Sequence, residues 1–146
     1  MQQMPQQTPA PPRAPLECAL YASNLAECAA FYAGVLGLEE IARVEERHHF
    51  FRLGEVVLLL FSPEATLLGS SNPSLPVPPH GATGAGHLCF SATAAEIHAW
   101  KDHLEAQGVP VEADFHWPNG ARSIYFRDPA GNSLEFAEPR LWFPET

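Results

Sequence analysis

From position 69 to 85 the chain reads Gly-Ser-Ser-Asn-Pro-Ser-Leu-Pro-Val-Pro-Pro-His-Gly-Ala-Thr-Gly-Ala. Proline neither donates to a strand ladder nor continues a helix, so this run excludes both elements and divides the chain in two. The halves on either side carry the same order of parts. In the first, the pattern predicts a strand at 16–22 and a helix at 25–36. Asn24 is its expected N-cap, Glu27 completes a capping box, and Gly37 ends it. Phe31, Tyr32 and Val35 supply the apolar face. In the second half a strand at 87–91 leads to Thr93 and Glu96 as another capping box. The stripe Ile97, Trp100 and Leu104 follows, and Gly108 is the stop. Three short strands come after each helix: 39–44, 48–53 and 56–61, then 109–114, 122–127 and 133–137. The unit is βαβββ, twice, which makes the expected class α+β.

The expected organisation is a flexible tail at 1–15, a first module at 16–68, the linker at 69–85, a second module at 86–138 and a C-terminal extension at 139–146. The tail is rich in Gln and Pro with no apolar run, so it is neither a signal peptide nor a membrane span. The longest apolar run, 56–61, has the length of a strand, and no membrane role follows from it. With 146 residues, 46% hydrophobic and 17% charged, the chain reads as soluble and globular. A net charge of −9 argues against nucleic acid as a partner and mildly favours neutral or cationic ligands. Cys18, Cys28 and Cys89 form no C-x-x-C pair, as expected of reduced thiols in a cytoplasmic protein.

Near the C-terminus, Asp128-Pro129-Ala130-Gly131 fits a type I turn. The strand after it places Leu134 and Phe136 on one face, with Ser133, Glu135 and Ala137 on the other. A mid-strand carboxylate between apolar neighbours is costly to bury unless something such as a metal pairs with it. Parity places two further polar groups on the same side. Leu16, Cys18 and Leu20 should pack under the first helix, leaving Glu17, Ala19 and Tyr21 opposite. Leu88 and Phe90 should pack under the second, leaving His87 and Cys89 opposite. A two-residue loop at Gly54-Glu55 pairs Leu53 with Val56, which sets His48, Phe50 and Arg52 on the inner face beside Val57, Leu59 and Phe61. Glu17, His87 and Glu135 then suit a divalent ion such as Zn, Mn, Fe(II) or Ni. Three ligands leave positions open for water and substrate.

The stretch from Asn24 to Tyr32, followed by Val35-Leu36-Gly37-Leu38, and the Asp128-Pro129-Ala130-Gly131-Asn132-x-Leu134-Glu135 turn and strand resemble the vicinal oxygen chelate superfamily. Its members include glyoxalase I, extradiol dioxygenases, fosfomycin-resistance enzymes and bleomycin-resistance proteins. The resemblance covers about 16 to 138. It implies two βαβββ modules forming an incomplete barrel around a central cleft with a divalent metal, commonly in a homodimer. It places the metal positions on Glu17, His87 and Glu135. Leu59 stands where glyoxalase I carries a fourth ligand, a departure that counts against methylglyoxal chemistry as usually drawn. Glu17 in place of a histidine counts likewise against dioxygenase chemistry. Tyr125 matches the phosphonate-contacting tyrosine of the fosfomycin branch, whereas Ala19 and Phe115 replace polar residues there. The acidic balance and the aromatic residues Phe115, Trp117 and Tyr125 are compatible with a bleomycin-type binder.

The expectation is a cytoplasmic metal-dependent enzyme acting on a small substrate that chelates the ion through adjacent oxygens. Lyase, isomerase, transferase and dioxygenase chemistry all stay open. His48, Phe50, Arg52, Trp117, Ser123 and Tyr125 are the expected substrate-binding residues, Arg52 as a clamp for an anionic group and Tyr125 as a hydroxyl donor or catalytic acid. The alternative is a metal-free protein that sequesters a compound in the same cleft.

Overall fold

A computed structural model describes residues 3, 4 and 7–145. The expected N-terminal tail therefore lies partly outside the described residues, and its described part carries no helix or strand and is exposed. The elements alternate as the halves predict. The first module holds β1 (Glu17–Tyr21), α1 (Leu25–Gly34), β2 (Glu40–Val44), β3 (His48–Leu53) and β4 (Val56–Phe61), followed by a short helix α2 (Pro63–Thr66). The second holds β5 (His87–Ser91), α3 (Ala94–Ala106), β6 (Ala113–His116), β7 (Arg122–Arg127) and β8 (Ser133–Ala137). A 3-10 turn at Pro139–Leu141 follows. Each module forms its own four-stranded sheet, ordered β1-β4-β3-β2 and β5-β8-β7-β6, and neither closes into a barrel. In each sheet the module's first strand pairs in parallel with its last, and the other pairings are antiparallel.

Hairpin chemistry fixes the first register. Gly54 has a φ of +60°, the positive value that the first central position of a II′ turn demands. Leu53 accordingly faces Val56, Arg52 faces Val57 and His48 faces Phe61. In the second module the Thr93 side chain accepts from Glu96 N–H and the Glu96 carboxylate accepts from Thr93 N–H, completing the capping box. Gly108, at φ +74°, ends α3, with Val109 N–H donating to the Leu104 carbonyl and Gly108 N–H to that of Glu105. Replacing Thr93 with alanine should cost about 1 kcal/mol in urea unfolding. A change under about 0.3 kcal/mol would show that tertiary packing alone holds this end of the helix.

The first helix departs from expectation. Asn24 makes no side-chain cap; its amide donates instead to Glu27 Oε2 at 3.2 Å and to the Pro129 carbonyl at 3.0 Å. A bond to the turn of the other module has displaced a local one. The helix ends at Gly34, two residues short of the expected end at 36. The strand expected at 109–114 begins at Ala113, because Val109 and Val111 pack against the core directly after α3.

Leu20, Leu58, Leu60 and Phe51 from the first sheet join Phe90, Ile124, Phe126, Leu134 and Phe136 from the second in one hydrophobic core. Helices α1 and α3 contribute Leu25, Cys28, Phe31, Tyr32, Ile97 and Leu104 to it. Phe31 packs on Phe126 across the modules, and the Tyr32 hydroxyl donates to Asp128 Oδ2 at 2.6 Å. His103, on a face of α3 that looks solvent-exposed in sequence, reaches the Val35 carbonyl at the end of α1, 2.8 Å away. One face of each sheet is thus spent on a shared core. The opposite faces lie on the outside of it.

Candidate functional site

On the outer face of the second sheet, β8 presents Glu135, β5 presents His87 and Cys89, and β7 presents Ser123 and Tyr125. Cys89 and Tyr125 flank Glu135 in register. Glu135 is only 5% exposed. Its Oε2 accepts from the Ser123 hydroxyl at 2.6 Å, and Ser123 Oγ in turn accepts from Trp117 Nε1 at 2.8 Å. Its Oε1 lies 3.3 Å from His87 Nε2. The His87 Nδ1 sits 2.9 Å from the Ser133 carbonyl, which can only accept, so Nδ1 carries a hydrogen. In the neutral ring Nε2 then turns a lone pair toward a carboxylate oxygen. Two acceptors facing each other at that distance fit a cation between them, and a backbone carbonyl holding the far nitrogen is how ligating histidines are oriented.

Around this pair the side chains are aromatic. Tyr125 stacks on His87 (6.1 Å between centroids, 16° between planes) and on Phe115 (5.9 Å, 5°). Phe115 meets Trp117 edge to face at 4.9 Å. Burial and the nearby Glu135 carboxylate push both the Tyr125 hydroxyl and the Cys89 thiol up to about 12. Both stay protonated near neutral pH. Tyr125 is therefore a hydrogen-bond donor, and Cys89 is a poor nucleophile.

The remaining expected residues sit on the outer face of the first sheet. Glu17, Val57 and Arg52 form one row across three strands, and Ala19, Leu59 and Phe50 form the next. Glu17 is exposed. Arg52, expected as an anion clamp, donates to Glu39 Oε2 at 3.3 Å. His48 stacks on Phe50 with 4.0 Å between centroids. The structure thus gathers His87, Glu135, Ser123, Tyr125 and Trp117 into one cluster and leaves Glu17, His48, Phe50 and Arg52 on the other sheet. Within one chain, no three His, Cys, Asp or Glu side chains among the described residues group closely enough to hold a metal ion. Ser123 is fully buried beneath Glu135, so its observed bond is to the carboxylate.

Two residues of this face carry no signal in strand parity. Arg47 lies in the turn before β3. His80 belongs to the Pro-rich segment, yet its Nδ1 lies 2.7 Å from the Tyr21 hydroxyl and its ring meets Phe61 edge to face at 4.7 Å. A groove of about 390 Å³ lies elsewhere, between the end of α1 and α3, lined by Val35, Leu36, Trp100 and His103 among others. None of the expected site residues borders it.

Paired βαβββ modules with a His–Glu pair on an open sheet face define a class of two-module α+β proteins. Residues 15–136 match the profile of the Glyoxalase/Bleomycin resistance protein/Dioxygenase superfamily, and the chain belongs to that superfamily. Among solved structures it is similar to lactoylglutathione lyase from Agrobacterium tumefaciens. That similarity has a TM-score of 0.86 and 46% identity, over 91% of this chain and 98% of that one. It is also similar to the integron cassette protein HFX_CASS4 from the mobile metagenome of the Halifax Harbour sewage outfall (TM-score 0.67, 25% identity, 86% and 98% covered). A glyoxalase/bleomycin resistance protein/dioxygenase from Nocardioides shares the fold at 22% identity and a TM-score of 0.69, over 90% and 85% of the two chains. No curated protein matches the sequence. No described helix is long and apolar enough to cross a membrane.

Proposed function

We propose that the chain is a divalent-metal-dependent enzyme acting on a small substrate with adjacent oxygen atoms, and that its site is completed in a homodimer. The observation that carries this reading is the His87–Glu135 pair, with Nδ1 pinned to a carbonyl and Nε2 aimed at Oε1. His87 and Glu135 hold the ion from one chain. Because the sheets spend their inner faces on one core, the third donor, Glu17, comes from a second copy, whose first sheet lies over the second sheet of this one. A divalent ion so held supplies Lewis acidity toward the substrate oxygens. The protein's own groups do the rest. Ser123 and Trp117 hold Glu135 in place, Tyr125 donates a hydrogen bond to a substrate oxygen, and Phe115 and Trp117 exclude water from that side. The lyase activity named for the Agrobacterium relative is the first to assay, because that relative shares 46% identity. Leu59 bears on that assay, since leucine ligates nothing.

The test is metal content together with assembly state. Protein purified without chelators should carry about one ion per chain and sediment as a dimer. In Glu17→Ala the affinity should fall by more than the ~10–100-fold typical of outer-shell changes, with the dimer intact. A monomer, or an affinity unchanged by the substitution, removes Glu17 from the site. If no metal binds even after Zn, Mn, Ni and Fe(II) are added, a binding protein using the same aromatic walls is the better reading.

A further inference from the structure

The far end of the first sheet's outer face is built around Phe61. Its buried ring meets Phe50 at 5.5 Å, His48 at 5.9 Å, His80 at 4.7 Å and Tyr21 at 6.0 Å. The Arg47 guanidinium lies over it, 5.7 Å from the centroid. Arg47 Nη1 also donates to His48 Nδ1 at 2.6 Å. The guanidinium is thus held at two points, by a ring face and by an imidazole lone pair. Arg47 N–H donates to the Val44 carbonyl and Ser62 N–H to that of Arg47, which fixes the turn beneath it.

Charge pairing sets this cation apart. Of the eight Lys and Arg residues, Arg43, Arg52, Lys101, Arg122, Arg127 and Arg140 each pair with a carboxylate. Among the described residues only Arg13, in the exposed N-terminal segment, and Arg47 have no such partner. Arg47 alone of the two stands within the folded modules, although 17 Asp and Glu are present and two of them, Glu45 and Glu46, lie just before it in sequence. Its remaining N–H groups form a fork with no carboxylate in it. Burial and the Arg47 charge hold His48 below its usual value, so the ring is neutral. With Nδ1 accepting from Arg47, His48 keeps its hydrogen on Nε2 as a second donor. Phe50 and Tyr21, both half-exposed, line the same end.

We propose that this end of the face binds a small organic anion, its carboxylate forked on Arg47 and its planar apolar body set against Phe50 and Tyr21. A bidentate guanidinium–carboxylate pair gives orientation as well as affinity, and aromatic walls accept a planar body with little loss of freedom. The inference names the substrate class of the site proposed above and rests on that reading for placing the substrate on this face. The contact itself needs no metal. It also reassigns the anion clamp, because Arg52 is paired with Glu39.

Benzoate is the probe, with benzamide as its neutral counterpart and inorganic phosphate as an anion without a ring. Titrations of the full chain in EDTA, followed by amide chemical shifts, read binding without any metal. Benzoate should shift residues around Arg47, Phe61 and His80 and bind about tenfold or more tightly than benzamide. Arg47→Gln should weaken benzoate by about tenfold and leave benzamide unchanged, while Arg43→Gln, which removes the same charge, should alter benzoate less than twofold. Equal losses in the two variants, or benzamide binding as well as benzoate, overturns the carboxylate contact. Phosphate binding as tightly as benzoate overturns the aromatic half. Failure here leaves metal stoichiometry untouched, and a metal-free protein leaves this titration untouched.

Discussion

Replacing Asp128 with alanine is expected to destabilise the chain by about 3–5 kcal/mol. Asp128 is buried and accepts four hydrogen bonds: from the Tyr32 hydroxyl at 2.6 Å, Asn132 Nδ2 at 2.8 Å, and the amides of Ala130 and Asn132 at 2.9 Å each. Removing the carboxylate strands the Tyr32 hydroxyl, which is wholly enclosed, together with the buried backbone N–H of Asn132. Each orphaned buried group costs roughly 1–3 kcal/mol, and a domain of this size holds only about 5–15 kcal/mol in total. Burial and Asp128 push the Tyr32 hydroxyl far above its usual range, so it remains a donor at any ordinary pH. Tyr32→Phe should cost less, about 1.5–3 kcal/mol, because the carboxylate keeps its other donors. Combined, the two substitutions should cost less than their sum, since they share one bond. Urea midpoints measure all three. A loss below about 1 kcal/mol in Asp128→Ala would mean that water replaces the missing oxygens and that the cluster adds little.

Glu135→Gln should abolish metal binding while leaving the fold intact. Glutamine matches the shape of glutamate, and its carbonyl can still accept from the Ser123 hydroxyl. What disappears is one negative charge and one of the two donor groups that a single chain supplies. The fall in affinity should exceed the ~10–100-fold seen when only an outer partner is lost. Calorimetric titration with Zn, Mn and Ni measures it, with circular dichroism as the check on folding. Ser123→Ala offers the contrast, because it removes the group that orients the carboxylate but no ligand, and its loss should fall within that outer-shell range. If Glu135→Gln binds metal as the parent does, the ion is not held here.

Much of the fold is legible because it is local. Strand parity, the Gly54 turn and the Thr93–Glu96 box depend on residues a few positions apart, and all are present. What is not legible comes from distant partners. Asn24 looks like a cap until Pro129, 105 positions away, takes its amide. The α2 turn has a local signal, Ser62 before Pro63, that hydrophobic periodicity does not weigh. Within the site, parity correctly puts His87 and Glu135 on one side of a sheet. It cannot show that Ser123 lies under the carboxylate or that His80 folds back from a Pro-rich run onto Tyr21, since nothing periodic encodes either.

Asn132 gives the two halves a common fate. Its side-chain oxygen accepts from Gly86 N–H at 2.8 Å, ahead of β5, and its amide donates to the Tyr21 carbonyl at the end of β1 and to Asp128. A Cβ on Gly86 would stand 3.2 Å from that oxygen and from Leu20, so this crossing admits no larger residue without movement. One side chain thus ties β1, an edge strand of the first sheet, to the start of β5, an edge strand of the second. With the single core, this makes the repeated halves one cooperative unit in unfolding. A ligand held on either outer face therefore stabilises both modules together, because neither can melt while the other stays folded.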